Sequence, residues 1–187
     1  EHNIIMSLLE GLVGIHPATL APEPAVAESW EINEDGTRYI FHLRKNAKWS
    51  NGDLLTAHDF VYSWNRALTP ALGNQYAYML YPVINAEEYN TGEISDFNQV
   101  GIKALDDNTL EVVLKSSTPY FLGLLDHDST FPIHQATIEK HGDIDTRDSK
   151  WTRAGNFVGN GPFILKHWEQ NRIIIVEKNP HYWDASI

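Results

Sequence analysis

One stretch constrains the fold of this 187-residue chain more than any other. In SWEINEDGTRYIFHLR (residues 29–44), Trp30 and Ile32 alternate with polar neighbours. Asp35-Gly36 then breaks the run, and Tyr39, Phe41 and Leu43 resume the alternation. An Asp-Gly pair tolerates the backbone angles of a tight turn, so period-two apolar patterning on both sides of it specifies an antiparallel hairpin with one inward face. VGIKALDDNTLEVVLKSS repeats the logic: Val100, Ile102 and Ala104 run in, Asp106-Asp107-Asn108-Thr109 turn, and Leu110, Val112 and Leu114 return. Its turn echoes Glu34–Thr37, but nothing beyond the turn matches, so the likeness is one of turn chemistry rather than duplication. A third pair of strands is predicted at Pro162–Glu169 and Arg172–Lys178, joined at Gln170-Asn171.

Helical periods separate these hairpins. Ile4, Ile5, Leu8, Leu9 and Leu12 recur at helical spacing over residues 3–13, with Gly14 as the expected stop. Pro17, Pro22 and Pro24 predict an extended linker over residues 16–28. Thr56 to Leu68 reads as a helix capped by Thr56 with Asp59 three residues on, and Phe60, Val61, Trp64, Ala67 and Leu68 form its apolar face. Residues 74–93 form two short helical pieces broken at Pro82, and Tyr120–Leu125 and Gln135–His141 add two more. Strand pairs joined by hairpins, with helices between them, predict an α+β fold with mostly antiparallel sheet.

Composition removes whole classes of function. A formal charge of −11, with no basic cluster to offset it, argues against nucleic acid and anionic lipid as partners. Without cysteine there are no disulfides, thiolate nucleophiles or iron–sulfur ligands. No run approaches the roughly 18 apolar residues of a membrane helix. The start, EHNIIMSLLEGL, has neither initiator Met nor signal-peptide pattern, as expected of a mature product or an excised piece.

The chemical motifs fall away in turn. The nine histidines show no metal-ligand spacing. His58 and Asp59 are adjacent, so on a helix they point about 100° apart and cannot grip one ion; Asp59 is better used as a cap. No serine sits in a nucleophile elbow. The carboxylate pairs, such as Glu87-Glu88 and Asp106-Asp107, lie in turn-like surroundings. Gly159-Asn160-Gly161 starts like a dinucleotide fingerprint but runs into Pro162 and a strand, so close backbone approach is the expected use of its glycines. The residues point to no enzyme, no metal and no cofactor.

Read together, LLEGLV (8–13), PAVAESWEINEDGTRYIFHLRKNAKWSNGDLLTAHDFVYSWNRAL (24–68), VGIKALDDNTLEVVL (100–114), TPYFLGLL (118–125) and NGPFILKHWEQNRIIIVEKNPHYWD (160–184) resemble one family. It is that of the extracytoplasmic oligopeptide- and dipeptide-binding proteins of ABC importers. The run from Trp49 to Trp64 and the Asn179-Pro180-His181-Tyr182-Trp183-Asp184 ending are the most specific matches.

The resemblance implies part of the larger lobe of a two-lobed, periplasmic-binding-protein-like clamp that closes on an extended peptide. It implies residues 1–144 as the lobe's intermediate domain, residues 145–187 as the start of the return into the main domain, and a second lobe absent from the chain. Tyr76 matches the family's peptide-contacting tyrosine, with Tyr78 as a neighbouring candidate. Asn160, Gly161 and Phe163 belong to a loop near the hinge, read either as ligand-facing or as a structural turn. The implied partners are an oligopeptide and the importer's membrane permease, outside the cytoplasm, with a membrane anchor allowed in the full-length precursor. Strand edges left uncovered in such a fragment imply homodimerisation through them. Two alternatives stand beside this reading: the same family binding a cello-oligosaccharide, nickel or haem, and an autonomous interaction or hydrolytic domain.

Overall fold

The computed structural model describes residues 2–186. Helix α1 (His2–Leu8) leads into a small hairpin of β1 (Val13–Ile15) and β2 (Pro22–Pro24). Strands β3 (Ala27–Ile32) and β4 (Arg38–Leu43) are followed by helices α2 (Ala57–Leu68) and α3 (Ala86–Thr91). Strands β5 (Ile102–Asp106) and β6 (Thr109–Val113), helices α4 (Phe121–Leu124) and α5 (Gln135–His141), and strands β7 (Phe163–Glu169) and β8 (Ile173–Lys178) complete the order. The fold is α+β, and among the described residues every strand pair is antiparallel and no helix is long and apolar enough to cross a membrane.

The first hairpin forms as its pattern requires. Trp30 faces Phe41 across β3 and β4, and Ile32 faces Tyr39. Gly36 takes a positive φ of 70° at the turn, and its N–H donates to the Asn33 carbonyl at 3.0 Å. The Thr37 N–H donates to the Asn33 side chain at 2.9 Å, so short polar residues close the turn. Tyr39, Phe41 and Leu43 are buried. Ile32 is not: it ends the edge strand and stays 46% exposed, against the inward position its alternation predicts.

The second hairpin, β5–β6, also forms, and the two hairpins join through β4 and β6 into one sheet of order β3-β4-β6-β5. Phe41 stands opposite Leu110, and Tyr39 opposite Val112. Helix α2 lies across β5 and β6. It starts at Thr56, whose N–H and hydroxyl both donate to the Asp59 carboxylate, at 2.8 and 3.1 Å. Phe60, Trp64 and Leu68 are fully buried on its inner face with Trp49, and the Trp64 indole N–H donates to the Thr130 carbonyl at 2.7 Å. Each such side chain contributes about 1.5–3 kcal/mol by burial, and together they bind helix to sheet.

Three expectations about local structure need correction. Helix α1 ends at Leu8 rather than continuing to residue 13, because the Leu8 carbonyl accepts the Gly161 N–H at 3.0 Å and the chain there turns to meet residues 159–161. Gly14 is a strand residue opposite Glu23, not a helix stop. The proline-rich stretch is not all linker, since Pro22–Pro24 pairs with Val13–Ile15 as an edge strand, the sheet position that prolines tolerate. The pieces flanking Pro82 are a 3-10 turn, Ala77–Leu80, and α3.

The tail hairpin β7–β8 is a two-stranded sheet apart from the main one. Asn171 takes a positive φ of 59° at its turn. Leu165 is its buried apolar anchor, while Trp168 and the consecutive Ile173, Ile174 and Ile175 remain 37–46% exposed.

Candidate ligand groove

An open groove of about 500 Å³ runs between the segment after α1, strand β2 and the end of the chain. Its position follows from the early end of α1. With Leu8 held by Gly161, residues 9–12 run as irregular, largely buried backbone into β1, and Gly11 lets the Phe131 ring close in: a Cβ there would lie 2.7 Å from it. The buried Asn160 fixes the next peptide unit. Its Oδ1 accepts the Glu10 N–H at 3.0 Å and its Nδ2 donates to the Glu10 carbonyl at 2.8 Å.

Held in this way, the Glu10 side chain meets the far end of the sequence. One carboxylate oxygen accepts the Tyr182 hydroxyl at 2.5 Å, and the other accepts the Trp183 indole N–H at 2.6 Å. The Arg44 guanidinium lies 3.7 Å above the Trp183 ring and donates to the Ala25 carbonyl at 2.7 Å. Burial pushes the Glu10 carboxyl above the usual range, against the opposing pull of those two donors and of Arg44. Burial, and then the Glu10 charge, push the Tyr182 hydroxyl up as well. Glu10, Glu23, Asp126 and Asp184 all line the groove, and among its described lining residues there is no lysine or arginine. The electrostatics therefore favour a cationic or hydrogen-bond-donating ligand.

The five residues singled out in the sequence fall into two sets. Tyr76 and Tyr78 are 48% and 52% exposed, with ring centroids 6.3 Å apart. Tyr76 also packs 4.8 Å from the His127 ring. Neither tyrosine is among the residues that line the groove, although Asp126, the residue before His127, is. Asn160, Gly161 and Phe163 are not brought to the tyrosines. Both polar atoms of Asn160 are used on the Glu10 backbone, and a Cβ on Gly161 would come within 2.6 Å of the Leu8 carbonyl carbon. Phe163 is half-buried at the start of β7, opposite Lys178. None of the three lines the groove; Asn160 and Gly161 tie the chain to the Leu8–Glu10 segment instead.

Sequence reasoning missed Glu10, Arg44, Tyr182 and Trp183. The motifs that hold Glu10 and Tyr182-Trp183 were legible as family markers, but nothing in either motif links residues 172 apart. The histidines that invited a metal reading have ordinary structural uses. His58 lies exposed 3.6 Å from Asp107. The buried His134 bridges Thr137 at 2.8 Å and Asp53 at 3.1 Å.

Comparison with known proteins assigns the architecture. The family profile described as bacterial extracellular solute-binding proteins, family 5 Middle, matches residues 21–186. The chain belongs to this family. It is 45% identical over 186 residues to the periplasmic oligopeptide-binding protein OppA of Salmonella typhimurium, covering 98% of this chain and 33% of that protein. It is 41% identical over 183 residues to the probable deoxycholate-binding periplasmic protein YgiS of Escherichia coli, covering 97% of this chain and 33% of that protein. Among solved structures, the substrate-binding domain of an oligopeptide ABC transporter from Bacillus anthracis superposes with a TM-score of 0.90 at 41% identity, over 98% of this chain and 34% of that one. Haemophilus influenzae OppA in complex with the peptide RPPGFSPFR superposes with a TM-score of 0.87 at 40% identity, again over 98% of this chain and 34% of that one. The chain thus spans about a third of the length of the curated relatives it matches.

Proposed function

We propose that the chain forms one wall of the ligand cleft in the binding protein of an ABC importer, and that the ligand is an extended oligopeptide. The observation that carries this reading is the groove, with its acidic lining of Glu10, Glu23, Asp126 and Asp184. Carboxylates suit a peptide's N–H groups and amino terminus, and exposed tyrosines such as Tyr76 and Tyr78 give contact with little sequence preference. Membership in the family and the peptide-bound relative support it. In this reading the protein binds and delivers rather than catalyses, and works outside the cytoplasm, where the named relatives are periplasmic. It hands its ligand to a membrane permease, with a membrane anchor allowed in the precursor. Residues 1–144 serve as the intermediate domain and residues 145–187 as the return into the main domain.

In this assignment Tyr76 is the principal contact, Tyr78 its neighbour, and Asn160, Gly161 and Phe163 shape the cleft through the segments they hold. Calorimetric titration with tri- to pentapeptides tests it. One wall alone gives weak binding, above about 1 μM Kd, near −8 kcal/mol. A tighter value for the isolated chain would overturn its reading as half a clamp. In the protein that carries the opposite wall, tight peptide binding that Tyr76→Ala weakens supports the assignment. A thermal-shift response to deoxycholate, cello-oligosaccharides, haem or Ni²⁺ in place of peptides replaces it. We also propose that the isolated chain pairs with a second copy through the open edge of β8.

A further inference from the structure

The four carboxylates of the groove differ in how they are held. Glu23, Asp126 and Asp184 also line it, with one Asp184 oxygen accepting the Ser186 N–H and hydroxyl at 2.9 and 2.6 Å. Glu10 has both oxygens occupied by donors from the last segment of the chain. We propose that Glu10 is the positioning residue of the groove, holding Tyr182 and Trp183 as its wall and acting on ligand through them. This rests on the reading of the groove as a ligand cleft.

The geometry supports the role from three sides. The Glu10 backbone cannot shift, because the Asn160 amide grips both its N–H and its carbonyl. The Trp183 ring is fixed on its face by Arg44 and at its N–H edge by Glu10, so its rotation is determined in two directions. The other ties on this segment bind main chain: the Asn46 side chain donates to the Trp183 carbonyl at 3.4 Å, and the Asn179 Oδ1 accepts the His181 N–H at 3.0 Å. Among the described residues Glu10 alone engages the polar tips of both aromatics. Charge-assisted bonds of this kind are about twice as strong as neutral ones, and they are lost when the carboxylate is removed.

The hold is sensitive to protonation. Tyr182, Arg44 and Asp184 face Glu10 directly, and Glu23 and Asp126 line the same groove. Burial outweighs the donors and Arg44, so Glu10 gains its proton at a higher pH than an ordinary glutamate, whose pKa is about 4.3. A neutral carboxyl still offers one acceptor to Trp183 and one hydroxyl to Tyr182, but without charge assistance. Acidification therefore loosens the wall without removing it, and Glu10→Gln mimics the loosened state at every pH.

The experiment uses the indole N–H resonances of ¹⁵N-labelled 187-residue chain, with Trp183 assigned through Trp183→Phe, and a trialanine titration followed in the same spectra. The expected result has two parts. The Trp183 resonance moves upfield on acidification, with one midpoint above about 4.3, and Glu10→Gln abolishes that movement. Glu10→Ala weakens trialanine binding about tenfold or more, while Glu10→Gln restores most of it. A Trp183 resonance that does not titrate, or titrates identically in Glu10→Gln, overturns the proposal. Unchanged trialanine binding in Glu10→Ala overturns it too. Should Glu10→Ala fail to fold, Glu10→Gln alone decides. A titrating Trp183 in a chain that binds no trialanine supports the hold on the wall and counts against the cleft reading instead.

Discussion

Two hairpins in this chain were announced by equally plain sequence patterns, and they end in opposite situations. Strands β3 and β4 are extended by β5–β6 into one sheet, with α2 packed on its β5–β6 half, and Phe41 and Trp64 are fully buried. Strands β7 and β8 pair only with each other, and Ile173, Ile174 and Ile175 stay more than a third exposed. A run of adjacent isoleucines has no polar face, and such strands are ordinarily covered on both sides. Local pattern thus decides that a hairpin forms, whereas its stability depends on what covers it.

The sharpest way to break this contrast is to delete one apolar side chain from each hairpin's surroundings. Trp64→Ala opens a cavity under the main sheet and leaves the Thr130 carbonyl without its indole donor. The expected loss is about 3–5 kcal/mol, read as a shift of the urea midpoint at constant slope. Ile174→Ala, at a site already 37% exposed, should cost less than about 1 kcal/mol. Equal losses would show that the tail belongs to the same cooperative core.

Asn160 joins the two regions, so it sharpens the comparison next. Asn160→Ala leaves the Glu10 N–H and carbonyl without their partners, which costs about 1–3 kcal/mol. Because the lost bonds tie residues 159–161 to the segment after α1, amide exchange should rise there and in β7 before it rises in β4 or β6. Uniform acceleration across the chain would rule out Asn160 as a local stitch.

These regions also differ in how far the sequence disclosed them. The turn at Gly36, the cap at Thr56–Asp59 and the strands of all three long hairpins follow from residues within a few positions of one another. Short-range chemistry is sufficient for such features. The pairing of β4 with β6, the early end of α1 and the Glu10–Tyr182–Trp183 cluster are decided by partners far away in the chain. No periodicity records them. The groove was therefore hidden: its Glu10 carboxylate looked like an ordinary charge in LLEGLV, and Tyr76, which the family motif marked, is not among the residues that line it. Asn160 was read as near the hinge, either ligand-facing or a structural turn, and what the structure adds is its grip on the Glu10 backbone.

Asp59 provides a smaller test inside the covered region. Burial raises its carboxyl, outweighing the Thr56 hydrogen bonds and the charge of His134. For an acid raised in the folded state, the stabilising contribution is complete below the unfolded pKa, about 3.9, and is lost as pH rises through the folded value. The stability of the unmodified chain relative to Asp59→Asn should therefore be greatest in acid and decline toward neutrality. A difference that grows with pH would mean that the cap outweighs the burial.

The smallest change in folding stability is expected at the open edge, where it isolates the effect of cover. Ile174→Lys sits on an exposed strand outside the main core, so unfolding should move by no more than about 0.5 kcal/mol. A lysine on a free edge obstructs strand pairing between molecules. If β8 recruits a second copy, sedimentation velocity should show the unmodified chain becoming heavier with concentration and Ile174→Lys remaining monomeric. A chain that stays monomeric before substitution would remove the dimer from the account. The contrast would remain, since two-stranded β7–β8 would then stand as a hairpin held by Leu165 and by residues 159–161 against α1, without any cover on its isoleucines.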